Sequence, residues 1–542
     1  MEAKRLLVEV WGNPSGWRKT KYEYKGLDEE PHQTTLPRLI NDLNPDKVIV
    51  FVPDTIVSEE STSYGEIVER VEENIGGFIR DLGIEVGDRV EVLVQPNIGF
   101  YTLNNKKIHG IRAIGSTNNY MITFALSLSR VLEEFMVQLQ NSREKRVEVY
   151  LDITHGVNYM PVLARATLYH ILSSIGIFLN VKLVVLNSDP VVYSPKSKES
   201  ESHTAVKKIH EVEVQDPLIP EHLYFPHLYN LYEKRSEERK ELVLFKSLVG
   251  GERILETIGL RGEFEEQISK LWEMENRLIS EVFQCGREVN TIECITNLLA
   301  FASSIQFILP LWILYLKPQL NQLEETMPLS KLEETTRKRV LKEIIIAKMY
   351  NNTLYIIQTA EPTMVLLDLV KAFLAMEALS TLGYKGINPQ NITLRDLTLD
   401  KVFSEKPIVH YSPILRYFSS RLKFDDRRMK EQIKKWLKSR HSNLDSTRDI
   451  EVPLAEIYDK YSNKQVNFKS EDFERNFISH SGLEYNIVKL VIPRSILEEF
   501  RNRGKINSRQ LSEVLVKPIE EYVDEIKEEV LVRKLLKPRG DL

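Results

Sequence analysis

Two side chains in EDFERNFISHSGLEYN, residues 471 to 486, have the chemistry that phosphodiester cleavage needs: Arg475 and, five positions later, His480. A histidine moves protons to and from attacking and leaving oxygens, and an arginine neutralises charge on the crowded phosphate between them. In one unbroken helix, five steps of about 100° would point the two side chains to different faces. The stretch divides instead. Ser481 with Glu484 has the Ser-x-x-Glu form of a capping box, so a helix starts after His480. His480 then falls in the turn, where its ring can swing toward Arg475. The same spacing recurs from Arg165 to His170, but the apolar period of MPVLARATLYHILSSIGIF runs through it unbroken. That second pair is expected to be structural.

The elements that position such residues fall into two classes. RLLVEVWG (5–12), DKVIVFVP (46–53), DRVEVLVQP (88–96), RVEVYLDIT (146–154) and VKLVVLN (181–187) are near-continuous runs of Val, Ile and Leu, the pattern of parallel strands covered on both faces. Helical periods at 61–82, 117–140 and 160–176 lie between them, predicting an α/β, Rossmann-like, doubly wound domain over 1–190. In such a sheet the ligand crevice lies beyond the C-terminal strand ends. The segments there are small and polar: GNPSGW (12–17), PNIGF (96–100), DITHGVNYMP (152–161) and GSTNNY (115–120), where Ser116 or Thr117 suits an N-cap. Asp152, Thr154 and Asn158 also suit turn capping.

Residues 191–227 are rich in Pro, Ser and charge and read as a linker, with His222 and His227 as linker residues. From 228 to 542 the periods are helical, at 234–258, 263–283, 290–316, 328–349, 363–382, 426–439 and 484–500, predicting an all-α domain. The uncharged run Leu298 to Leu316 reaches membrane-spanning length, yet Ser303, Ser304, Gln306 and Pro310 interrupt it and favour a core helix. Between 416 and 441, Arg and Lys outnumber acidic residues and interleave with Tyr417, Phe418, Phe424 and Trp436. That composition suits either single-stranded RNA guidance or a solvated helix face, with Met429, Ile433, Trp436 and Leu437 marking a buried side.

Composition removes several classes. Formal charge is 73 minus 78, or −5, so no global positive field points to nonspecific nucleic-acid binding. Cys285 and Cys294 are the only cysteines, too few for a disulfide framework and without zinc-site spacing. No metal site is expected. MEAKRLLVEVWG enters a strand directly, without the order of a signal peptide, and a reducing cytoplasm is expected. The phosphate loop G-x-x-x-x-G-K-[ST], the metalloprotease H-E-x-x-H and the dinucleotide G-x-G-x-x-G in the first turn are all missing.

RNFISHSG resembles the R-x-x-x-x-H motif of HEPN ribonucleases, and DITHGVNYMP resembles the signature segment of CARF domains, which sense cyclic oligoadenylates. A CARF domain followed by a helical HEPN domain is the layout of CRISPR-associated accessory ribonucleases of type III systems. Where the family commonly has Ala before the histidine, this chain has Ser479. The resemblance implies Arg475 and His480 as catalytic residues with Asn476 as support, and products bearing a 2′,3′-cyclic phosphate and a 5′-hydroxyl. It implies Asn13, Ser15, Ser116, Thr117, Thr154, His155, Gly156 and Asn158 as ligand-binding positions. It also implies a homodimer with a composite cleft, single-stranded RNA as substrate, and a cyclic oligoadenylate, the tetra-adenylate, as activator. Catalysis needs no cofactor on this reading. Rival readings are a nucleotide-responsive nucleic-acid-binding regulator without nuclease activity, and a CARF domain that also degrades its activator.

Overall fold

Successive side chains of a strand point to opposite faces, so a run buried at every position needs cover on both. In the computed structural model β1 (Lys4–Val10) meets that condition, with Leu6, Leu7, Val8 and Val10 fully buried. The structure describes residues 3–190 apart from 27–29, 58, 59, 62, 103–107, 143, 144 and 158; residues 206–218; 225, 244–248 and a few isolated positions up to 273; 291–397 apart from 307, 308, 327, 328 and 385–387; 427–458; and 466–535 apart from 471, 472, 474–476, 478–482 and 484.

Two compact units share the chain. The first takes Met1–Ile219, Leu242–Ile279 and Met327–Leu374. Its main elements in order are β1, β2 (Lys21–Glu23), α1 (Leu36–Leu43), β3 (Lys47–Pro53), α2 (Tyr64–Asp81), β4 (Val90–Gln95), β5 (Gly99–Thr102), β6 (Gly110–Ile114), α3 (Thr117–Leu139), β7 (Arg146–Asp152), α4 (Met160–Gly176), β8 (Asn180–Ser188) and β9 (Val206–Gln215). The seven-stranded sheet runs β2-β9-β8-β7-β1-β3-β4, with β1 parallel to both β3 and β7. From β1 the chain winds outward through β3 and β4, then returns to β7 on the other side. The switch in winding therefore lies between β1 and β7, where an open α/β sheet forms its crevice.

All five predicted strands and three helices are present near their expected bounds. Within the stretch expected to be linker, however, Val206–Gln215 is a strand, pairing antiparallel with β8 through Val184↔Val214 and Ser188↔Ile209. Only Ile209 is buried along it, so its exposed, charge-rich face reads as linker composition.

The chain also re-enters this unit. After β10 (Phe245–Ser247), the segments β11 (Ile345–Tyr350), β12 (Thr353–Gln358) and β13 (Ala360–Pro362) add strands, and β11 replaces the end of the helix expected from 328 to 349. Ile345–Tyr350 is β-branched and aromatic enough to prefer a strand, and Asn351 and Asn352 take positive φ of 46° and 56°, closing the hairpin as left-handed turn residues. β12 lies parallel to β6, forming the sheet β11-β12-β6-β5.

The second unit takes Pro220–Glu241, Ser280–Thr326 and Ala375–Leu542. The apolar run Leu298 to Leu316 is two helices, α5 (Thr291–Gln306) and α6 (Pro310–Thr326), because Pro310 opens a new helix rather than continuing the old one. Among the described residues no helix is long and apolar enough to cross a membrane. Further along the chain, α7 (Leu329–Glu334) belongs to the first unit's segment Met327–Leu374, and α8 (Val365–Leu379) begins in that segment and ends in the second unit's. A helix over 427–439, α9, precedes a small antiparallel sheet of β14 (Ile450–Pro453), β15 (Val488–Ile492) and β16 (Leu515–Pro518). The helix expected over 484–500 divides at Pro493 into β15 and α10 (Arg494–Arg503), since VKLVI suits a strand and proline stops its pairing.

Because Ile209 is 3% exposed, Ile209→Ala is expected to cost about 2 kcal/mol or more in urea unfolding. An effect under about 0.5 kcal/mol would return 206–215 to the linker class.

Candidate functional site

At the winding switch, the parallel register sets Glu9 of β1 beside Asp152 of β7. Both carboxyls are buried, at 0% and 1% exposure. Two adjacent buried carboxylates cannot both stay ionised. Burial, and then Asp152, push the Glu9 carboxyl well above its usual range. Asp152 has the donors: the Thr154 amide at 2.9 Å, the Thr154 hydroxyl at 2.5 Å, and the Thr35 hydroxyl. Glu9 accepts only the Trp11 indole N–H at 2.9 Å, and its other oxygen meets no donor among the described residues. The shared proton therefore sits on Glu9, which can donate to the Asp152 anion.

This pair anchors the two loops. Asp152 holds Thr154, whose hydroxyl also accepts from the Ser188 amide at 3.0 Å, so Thr154 is committed to the loop's own architecture. The Gly12 amide donates to the His155 carbonyl at 2.8 Å, tying the β1 and β7 loops together. Close approach explains both glycines: a Cβ on Gly12 would stand 2.5 Å from Val157 Cγ1, and one on Gly156 only 2.3 Å from Pro161 Cγ. Asn13 accepts from the Ser15 amide at 3.0 Å and starts a single turn of 3₁₀ helix, with both residues exposed.

The imidazole of His155 stacks on Trp17 with centroids 4.1 Å apart, and its Nε2 lies 3.5 Å from the Tyr22 hydroxyl. Burial, reinforced by the Lys207 charge, pushes its pKa down to about 3. His155 is thus a neutral, aromatic wall. Lys207 comes from β9 and rests over the Tyr22 ring at 6.0 Å, partly desolvated. Neither Trp17, Tyr22 nor Lys207 was among the sequence candidates; Trp17 lay in a quoted loop, whereas Lys207 came from a segment read as linker.

Ser116 is the N-cap of α3, accepting from the Asn118 amide at 3.2 Å. Its own amide donates to Gln358 Oε1 at 2.8 Å, and Asn119 donates to the same oxygen at 2.6 Å. The Ser116 backbone amide and the Asn119 side chain are therefore both engaged internally, by a side chain from β12. Thr117 opens the helix beside them. Tyr120, one turn on, reaches the Met160 carbonyl at 3.3 Å and so links α3 to the β7 loop's far end. Of the eight ligand-site candidates, Asn13, Ser15, Thr154, His155 and Gly156 gather at the switch, Ser116 and Thr117 stand at the start of α3, and Asn158 lies outside the described residues.

Arg475, Asn476 and His480 also lie outside the described residues. Beside them Phe473 and Phe477 are helical and buried, stacked at 6.0 Å, with Phe477 against Trp312 at 6.1 Å. In α9 the expected face Met429, Ile433, Trp436 and Leu437 is buried, while Arg427, Arg428, Lys435 and Lys438 are exposed. Trp436 is only 9% exposed and donates to Glu456 at 3.3 Å, so it is a core residue rather than a base-stacking platform. Tyr417, Phe418 and Phe424 lie outside the described residues. Arg165 forms a bidentate pair with Glu213 at 2.7 and 2.9 Å, away from His170, in keeping with a structural role.

Two outcomes follow from this geometry. A folded-state pKa of about 3 against the ordinary 6.5 means the unfolded chain binds the His155 proton more readily, so its contribution to stability is present above pH 6.5 and is lost as pH falls toward 3. His155→Gln is expected to flatten that part of the acid-stability curve, and an NMR titration showing the imidazole protonated near pH 6 would contradict the assignment. Gly156→Ala is expected to lose about 1–3 kcal/mol in urea unfolding, since the proline ring cannot move aside, whereas Ser15→Ala stays within about 0.5 kcal/mol.

Comparison with known proteins places names on both regions. Residues 6–190 match the family model "CRISPR system endoribonuclease Csx1, CARF domain", and residues 425–496 match "CRISPR system endoribonuclease Csx1, HEPN domain". A relative from Methanocaldococcus jannaschii, named CRISPR system endoribonuclease Csx1, is 36% identical over 212 residues. That match covers 39% of this chain and 40% of the relative's length. Enterococcus italicus Csm6 bound to cyclic hexa-2′-fluoro-hexa-dAMP aligns over 98% of this chain and all of its own, at 12% identity and a TM-score of 0.19, a likeness too weak to carry an argument. The chain thus carries a region matching the Csx1 CARF domain, with the loops at the β1–β7 switch inside it, followed by a region matching the Csx1 HEPN domain, and it spans less than half the length of the curated relative it matches.

Proposed function

We propose that the protein is a single-stranded RNA endoribonuclease of type III CRISPR defence, switched on by a cyclic oligoadenylate, with cyclic tetra-adenylate as the ring. One observation carries the reading: the HEPN match spans Arg475, Asn476 and His480, and the CARF match spans the loop cluster at the winding switch. His480 takes the proton of the RNA 2′-hydroxyl as that oxygen attacks the adjacent phosphorus. The bond to the 5′-oxygen breaks, that oxygen is protonated, and a 2′,3′-cyclic phosphate and a 5′-hydroxyl remain. Arg475 neutralises charge on the phosphate in transit and Asn476 supports the pair. Both act without a metal ion.

In the sensor, the neutral His155 on Trp17 offers an aromatic face to adenine, and Asn13 and Ser15 offer exposed polar groups to ribose or phosphate. A ring with internal symmetry suits two such sites meeting across a two-fold axis, so the working form is a homodimer in the cytoplasm, its two Arg–His pairs sharing one cleft. Activation requires the ring to favour the active arrangement by a few kcal/mol.

The test is cleavage of a fluorophore-quencher RNA in EDTA, with no ring, cyclic tetra-adenylate or cyclic hexa-adenylate. Ring-dependent cleavage that falls by about a hundredfold or more in His480→Ala and in Arg475→Ala is the expected result. Cleavage unchanged by His480→Ala would remove that residue from catalysis. No cleavage with either ring, together with ring-dependent nucleic-acid binding, would favour a regulator without nuclease activity.

A further inference from the structure

In the sheet β11-β12-β6-β5 of the first unit, burial alternates along the strands, as it must when one face packs and the other is left open. Ile111 of β6 with Leu354 and Ile356 of β12 turn inward and are at most 1% exposed. Partners in register share a face, so the outward residues fall into rows. One row runs Phe100, Arg112, Tyr355 and Lys348 across β5, β6, β12 and β11. The next holds Thr102, Gly110, Thr353 and Tyr350. Phe100 is 64% exposed and Tyr350 43%, and both Arg112 and Lys348 are exposed. Large rings left open together on one face mark a surface made for contact.

The chemistry of the face selects the partner. Tyr350 and Tyr355 stand edge to face with ring centroids 6.3 Å apart. A Cβ on Gly110 would stand 3.3 Å from Cε2 and Cζ of Phe100, so that ring lies across β6 where glycine leaves it room. Neighbouring strands are about 4.8 Å apart, which sets Phe100 and Tyr355 about 10 Å from each other with Arg112 on the strand between. Neither row contains a carboxylate, although the whole chain carries a formal charge of −5. Flat rings alternating with cations complement a strand of alternating bases and phosphates. Inside a duplex the base faces are already covered, so the strand that stacks here is single. A helix of another protein, the usual cover for a sheet face, would have to desolvate both cations.

We propose that this face binds single-stranded RNA, with Phe100, Tyr355 and Tyr350 stacking on two or three bases and Arg112 and Lys348 meeting the phosphates between them. The face lies in the first unit, whereas the HEPN match lies in the second. The inference takes from the ribonuclease reading only that the strand is RNA. Its test reads binding, and the ribonuclease reading is tested by cleavage, so either can fail alone.

The experiment is fluorescence anisotropy of the full-length chain with a short labelled 2′-O-methyl oligoribonucleotide, which has no free 2′-hydroxyl to attack, and with its duplex. Saturable binding of the single strand is expected, weakened about tenfold or more by Phe100→Ala combined with Tyr355→Ala. Arg112→Gln is expected to lower the slope of log affinity against log salt by about 0.7. Crosslinking of the same strand carrying a photoreactive uridine is expected to mark peptides from β5–β6 or β11–β12. No saturable binding, an affinity that the double substitution leaves unchanged, or crosslinks confined to residues 425–496 would each overturn the proposal while leaving the ribonuclease reading intact. Equal binding of the duplex overturns it too, since stacking on these rings needs unpaired bases. If the double substitution instead halves the mass measured by light scattering, the face joins two copies of the chain and the RNA assignment fails. Melting curves show which variants fold, and Phe100→Ala and Arg112→Gln, both at exposed positions, keep the test valid should Tyr355→Ala unfold the sheet.

Discussion

The proton shared by Glu9 and Asp152 is the interaction on which the loops at the β1–β7 switch depend. The register of β1 against β7 forces the two carboxyls together inside the sheet, and a second uncompensated charge there would cost several kcal/mol, on the order of the penalty for any unpaired buried ion. Protonating Glu9 removes that cost and leaves Asp152 as a firm acceptor for Thr35 and Thr154. The loop after β7 is thereby held at its first turn, and the Gly12–His155 bond extends the hold to the loop after β1. What stands at the switch point is a rigid aromatic and polar surface, with His155 uncharged.

Around that centre the chain recruits distant segments. Lys207 arrives with β9, beyond the end of the matched CARF range, and Gln358 arrives with β12 to occupy amides at the start of α3. Gly115 fits because Gln358 crosses where its Cβ would be, at 1.9 Å. The first unit is therefore not one continuous piece of sequence. Its second sheet takes β5 and β6 from one end and β11 and β12 from far along the chain.

The polar groups in this molecule sort by whether the fold satisfies them. Thr154 and Ser116 looked like ligand contacts by position, and their hydrogen bonds are largely committed within the protein. Asn13 and Ser15 keep exposed side chains, and Trp17 with His155 forms a face. Asn297 is the reverse case, a buried amide in the helical unit whose oxygen the described residues leave unsatisfied.

By itself the sequence determined the strands of the doubly wound sheet, because a strand buried on both faces must be apolar at nearly every position, and it marked the loops after β1 and β7 because those loops must be small and polar. It also marked Arg475 and His480 through residue type and spacing. The strand β9 was illegible, since a strand with a single buried residue can be as charged as a linker, and β11 hid inside the end of the helix expected over 328–349. Only the tertiary structure decided that Glu9 faces Asp152, that Trp17 carries His155, and that Gln358 reaches Ser116. Each depends on register or on contact between residues far apart in the chain, which local periodicity does not encode.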